Sequence, residues 1–136
     1  MKKVYIILLS ILFIGCSEEE NQSTPANLEV GKWTTLNHDQ CLSVTGTAYD
    51  ICLESISDSR CPDGLTCVWE GDAVATFILK SSTKTHSFSL HTYRNFRQDT
   101  IIHGLKIELL EVIPYPVLNE KVDPKDYSVE ILISDQ

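Results

Sequence analysis

Alternation of apolar and polar positions dominates the second half of this chain. Tyr127, Val129, Ile131 and Ile133 keep a two-residue period against Ser128, Glu130 and Ser134, the pattern of a strand with one buried face. Leu105, Ile107 and Leu109 follow the same period until the apolar phase jumps to Leu110 and Val112. That one-residue slip predicts a β-bulge near Leu109-Leu110, and Pro114 and Pro116 then end the strand. Upstream, Ala73, Ala75, Phe77 and Leu79 share one face while Val74 and Ile78 make the other apolar too, which predicts burial on both sides or a place in a barrel wall. Ser81–Lys84 reads as a turn, with Phe88 and Leu90 continuing as the hairpin partner and His86, on the same parity, at a hydrogen-bonded rim. Leu28–Leu36 and Ile51–Ile56 supply two more strands, the first carrying Val30, Trp33, Thr34 and Thr35. Leu118–Lys125 holds at most one short turn, and no segment shows a capped helical period. The expected fold is all-β, a small antiparallel sandwich or barrel of about 6–8 strands.

The longest interruption of this pattern is Asp58–Asp72, where Cys61 and Cys67 bracket Pro62 and the Asp63-Gly64 pair. Pro fixes φ and Gly accepts positive φ, so the segment reads as a clamped turn feeding the strand at Ala73, with Trp69 packed near the clamp. Setting Cys16 aside, four cysteines remain, an even number that in an exported chain predicts disulfides with three connectivities open. Cys61–Cys67 and Cys41–Cys52 are the favoured pairs, each flanking its own turn-prone segment. The entropy of loop closure gives about 2.5 kcal/mol for the first and about 3 kcal/mol for the second. Five residues separate Cys61 from Cys67, wider than the spacing of zinc ligands, and no Cys-x-x-Cys occurs. Asp58 and Arg60 are expected to pair at an exposed site, for less than about 1 kcal/mol.

The amino terminus sets the compartment. Lys2-Lys3 precede an apolar run from Val4 to Ile14 broken only by Ser10, a charged region followed by a hydrophobic one too short to span a bilayer as a helix. Residues 1–15 are therefore expected to be a signal peptide. Gly15-Cys16 resembles the lipobox of bacterial lipoproteins, although Phe13 stands where Leu is commoner. The resemblance implies that Cys16 becomes the mature terminus and carries acyl chains, with the membrane as its partner through that lipid. Residues 16–27 lack large apolar side chains and read as an acidic tether, and residues 28–136 as a single all-β domain. Ser17-Glu18-Glu19-Glu20 also resembles the acidic export signal of surface-exposed lipoproteins in Bacteroidota.

Asp58–Pro62 and Cys67–Gly71, with the Pro114/Pro116 pair and the strand led by Tyr127, resemble a loosely defined group of uncharacterised lipoproteins, chiefly from Bacteroidota. Cys41–Cys52 is an addition to that pattern. The resemblance implies an all-β lipoprotein and supplies no catalytic residues. The acidic signal points instead to the outer membrane and the cell surface, with a solvated linker facing the periplasm as the alternative.

Charge narrows the partners. Removing Lys2 and Lys3 leaves nine basic residues against 19 acidic ones, a net charge of −10, which disfavours nucleic acid and electrostatic adhesion to anionic lipid. Gly-x-Ser-x-Gly, His-Glu-x-x-His and phosphate-cradling glycine loops are all missing from the sequence. Glu70 and Asp72 flank Gly71 as paired carboxylates would in a small hydrolase, but such neighbours are more often solvated turn residues or partners for Arg60. No catalytic residue, metal or cofactor is expected. The one cationic stretch is the loop His91–Gln98, which carries two of the three arginines and two aromatic residues. Tyr93, Arg94, Phe96 and Arg97 are the candidate contacts for an unknown protein or carbohydrate partner, because Tyr and Arg bring large contact area with polar reach. The bland alternative has Tyr93 and Phe96 closing one end of the sandwich and both arginines pairing surface carboxylates. The expected function is a non-catalytic, surface-tethered binding or accessory module, with a periplasmic component that stabilises a partner complex as the alternative.

Overall fold

A computed structural model describes residues 27–136, so the expected signal peptide, the acyl-bearing Cys16 and nearly all of the tether lie outside the described residues. Among the described residues, nine strands form two sheets. The first holds β1 (Asn27–Leu28), β3 (Cys41–Val44), β4 (Asp50–Asp58), β5 (Ala73–Lys80) and β6 (Thr85–His91), in the order β1-β3-β4-β5-β6. The second holds β2 (Trp33–Asn37), β7 (Asp99–Ile102), β8 (Leu105–Ile113) and β9 (Ser128–Asp135), in the order β2-β9-β8-β7. Every pairing is antiparallel except that of β1 with β3.

One core joins the sheets. Ala73, Ala75, Phe77 and Leu79 of β5 face Ile107, Val129, Ile131 and Ile133 across the sandwich, all fully buried. The outer face of β5 is only half-buried at Val74 and Ile78, so the two-sided apolarity reflects neither double burial nor a barrel wall. Edges remain at β1, β6, β2 and β7, and the fold is an open sandwich.

The predicted bulge in β8 is present. Leu109 pairs with Ile131 and Glu111 with Glu130, leaving Leu110 unpaired and exposed while Leu109 and Val112 both point inward. A second bulge lies in β4 between Leu53 and Ser55, which accounts for the irregular Ile51–Ile56 pattern.

Three expectations need correction. Leu28–Leu36 is not one strand: Gly31 takes φ +86°, its N–H donates to Ile133 O at 2.7 Å, and the chain crosses from one sheet to the other between β1 and β2. Asn27 belongs to β1 and not to the tether. β3 was not anticipated, and neither was β7. The latter is joined to β8 by His103-Gly104, both at positive φ, a two-residue hairpin turn.

Both favoured disulfides form. Cys41–Cys52 links directly opposed residues of β3 and β4, with Cα atoms 4.0 Å apart. Cys61–Cys67 closes the turn between β4 and β5, with Cα atoms 6.0 Å apart.

Candidate functional site

The end of the sandwich where β4 leads into β5 gathers most of the chain's distinctive chemistry. Beyond Asp58 and before Ala73 the hairpin continues as a bonded stem: Ser59 N–H donates to Asp72 O and Cys61 N–H to Glu70 O, each at 2.8 Å. The stem needs a glycine at position 71. Gly71 sits at φ +77°, and a Cβ there would lie 2.1 Å from Ser59 O. The clamp above the stem is tied to the segment that follows β8 as well. Asp63 N–H donates to Pro116 O, Leu118 N–H to Asp63 O, and the Tyr115 hydroxyl to Cys61 O at 3.0 Å.

Arg60 fixes the base of this end, and it is buried, contrary to the expectation of an exposed pair. Its guanidinium makes a forked contact with Asp58, from Nε to Oδ1 at 2.9 Å and Nη2 to Oδ2 at 2.6 Å. Nη1 donates to Val112 O and Nη2 to Pro114 O, both at 2.8 Å, so one side chain bridges the sheets. The Asp58 and Arg60 side chains are 4% and 7% exposed, which removes the screening that makes surface pairs weak. Tyr127 donates to Asp58 Oδ2 at 3.2 Å. Burial, followed by the Asp58 charge and this hydrogen bond, raises the Tyr127 phenol above its ordinary pKa, against a smaller opposing effect of Arg60.

Asp72 is likewise neither solvated nor a partner of Arg60. It is buried, and its Oδ1 accepts from the backbone N–H of Thr92 and Tyr93 at 3.1 and 2.9 Å, while Oδ2 meets His91 Nδ1 at 2.7 Å. Burial penalises its charged form. The hydrogen bonds from His91, Tyr93 and Thr92, with the attraction of His91, outweigh that penalty and hold the carboxyl below the usual carboxylate range. The consequence is positional: Asp72 orders the turn after β6 that carries the arginine-aromatic loop. Its carboxyl oxygens are thereby committed to that turn.

That loop keeps its predicted residues together, and it departs from the bland alternative at the arginines. Tyr93 packs edge-on against Trp69 and Phe96, with ring centroids 5.7 and 5.2 Å apart, and Phe96 tilts against His91. Phe96 and Trp69 remain about half exposed, at 51% and 55%, so Trp69 is not packed down onto the clamp. Arg97 reaches only Ser89 O, at 3.5 Å, and turns its own carbonyl to the His91 N–H. Neither Arg94 nor Arg97 forms an ion pair among the described residues, so the arginines do not pair surface carboxylates.

A cleft of about 430 Å³ opens between the stem, the Thr92–Arg94 turn and the end of β8, with Glu70, Tyr93, Arg94, Glu111 and Tyr115 on its walls. A second hollow of about 380 Å³ lies under the clamp and shares Glu70 and Tyr115 with the first. Leu65, Val68 and Trp69 of the disulfide loop line this second hollow and are exposed, Val68 wholly so. Glu111 and Tyr115 carried no signal in the alternation pattern. They reach the site because the β8 bulge and Pro114 turn the chain toward the clamp.

At the opposite end of the sandwich, His86 Nε2 and His103 Nε2 lie 2.8 Å apart and Tyr49 stacks on His103. This fulfils the rim expectation for His86. Among the described residues no three His, Cys, Asp or Glu side chains converge as a metal site. No family model, curated protein or solved structure matches the chain.

Proposed function

We propose that the protein is a lipoprotein held to the cell envelope through Cys16, and that it acts as a non-catalytic, surface-tethered binding or accessory module whose contact face is the clamp end. The observation that carries this reading is the exposure of Leu65, Val68 and Trp69 on a loop held by a disulfide, by backbone bonds along its own stem and by backbone bonds to the segment that follows β8, beside a core that is already filled. Apolar side chains held rigidly in water are costly to leave uncovered, and contiguous ones mark interaction surfaces. Trp, Tyr and Arg, the residues that anchor interfaces, all occur within this end.

Asn27, where the described chain begins, lies away from the clamp. Asn27 pairs with Ser43, which pairs with Asp50, so the tether joins at the end of the first sheet opposite Asp58 and Ala73. Strand β4 separates these two ends by about 26 Å. The test places a photo-cross-linking residue at Val68, or at Lys84 on the opposite end, in the full-length protein on living cells. Discrete adducts from position 68 and none from position 84 are expected; equal labelling from both, or none from position 68, overturns the assignment.

A further inference from the structure

We propose that the cleft beside the clamp is a binding site for a neutral oligosaccharide. The inference concerns the cleft and not the apolar tip, so it stands or falls separately from cross-linking at Val68, although both belong to the binding-module reading. Its volume of about 430 Å³ lies in the range of small-ligand sites.

Tyr115 is the platform. Its hydroxyl is tied to Cys61 O at 3.0 Å, and the Arg60 guanidinium carbon lies 4.7 Å from the ring centroid. Arg60 is itself fixed by Asp58 and by the carbonyls of Val112 and Pro114. A ring held at both its edge and its face loses little freedom when a ligand covers it, yet Tyr115 is still 45% exposed. Tyr93, locked by Asp72 through its N–H and by Trp69 and Phe96 through its ring, supplies a second aromatic wall. Flat rings with this backing suit the C–H faces of sugar rings.

The polar groups choose the ligand class. Arg94 only donates hydrogen bonds, Glu70 and Glu111 only accept them, and none of the three forms an ion pair among the described residues. Hydroxyls both donate and accept, so a polyol satisfies all three groups without bringing charge. An anionic ligand would face two carboxylates against Arg94, because the charge of Arg60 is already matched by Asp58. A cation would meet the two carboxylates but leave the donors of Arg94 without an acceptor. A peptide added as a strand needs free carbonyls on a sheet edge, and those of Val112 and Pro114 are taken by Arg60.

The test uses the full-length chain in a detergent without a sugar headgroup, applied to an array of neutral and uronate-bearing oligosaccharides and to unstructured peptides. Hits are then titrated by saturation-transfer NMR. Binding to a neutral oligosaccharide is expected, stronger than to its uronate counterpart. Tyr115→Ala should weaken it at least tenfold, equivalent to about 1.4 kcal/mol, and Tyr115→Phe should retain it. Should Tyr115→Ala fail to fold, Glu70→Gln and Glu111→Gln, both at exposed positions, are each expected to weaken binding several-fold with an unchanged melting curve. The proposal is overturned if no neutral sugar on the array binds, if only uronates or peptides bind, or if Glu70→Gln and Glu111→Gln bind like the wild type.

Discussion

Replacing Arg60 by Ala tests the physical account of the clamp end most directly. The exposed ion pair expected from sequence would contribute less than about 1 kcal/mol. In the fold, however, the substitution strands the Asp58 carboxylate at 4% exposure with Tyr127 as its remaining side-chain donor, and frees the carbonyls of Val112 and Pro114. Removing one partner of a buried pair costs about 3–5 kcal/mol. Domains of this size lose roughly 4 °C of melting temperature per kcal/mol, so the drop should be roughly 10–20 °C. Circular dichroism melts under non-reducing conditions read it out. Asp58→Leu combined with Arg60→Met removes both charges while keeping apolar volume, and should recover more than half of the loss. A drop of only a few degrees for Arg60→Ala, or a double variant worse than the single one, would refute the buried-bridge account.

Asp72→Asn should destabilise the protein at neutral pH by about 1–3 kcal/mol, since it disturbs the anchor of the Thr92–Tyr93 turn. The folded carboxyl titrates below its ordinary value of 3.8, so its stabilisation is complete above that pH and fades as acid takes it through the lower folded value. Urea melts of wild type and variant should therefore converge below pH 3.8, and a constant gap would contradict the assignment. Gly71→Ala should cost more than the ~1 kcal/mol of an unfavourable φ alone, because its Cβ would meet Ser59 O at 2.1 Å; a neutral melt would show that the stem can open. Mass spectrometry of the mature N-terminal peptide should find acyl chains on Cys16, and an unmodified terminus elsewhere would end the lipoprotein reading.

Much of the fold was legible because strands with one buried face write their period into the sequence. β9 and β5 are the clearest cases, and the phase slip in β8 correctly marked a bulge. Legibility failed where a single backbone position redirects the chain. Gly31 divides an apparently continuous strand between two sheets, and His103-Gly104 creates a hairpin from the short run Asp99–Ile102, too brief to show alternation. At the candidate site, the arginine-aromatic loop and the clamp could be found from composition and spacing. The burial of Arg60 and Asp72 could not, because their partners at Val112, Pro114 and Tyr93 are distant in sequence. Nor could Tyr115, whose role depends on a guanidinium behind it.

The cross-strand Cys41–Cys52 bond has a mechanical meaning for a domain held by its amino end. Load applied through the tether peels first at β1, which pairs over only two residues, and next at β2 along β9. The third obstacle is Cys41, where the disulfide passes tension straight into β4, in the middle of its sheet, without extending the turn between. The bond is a stop that limits how far tension on the amino end can unravel the chain. Pulled from Asn27 in a force spectrometer, the oxidised protein should extend in fewer, shorter steps than the reduced one, with the clamp end and its cleft the last part to yield.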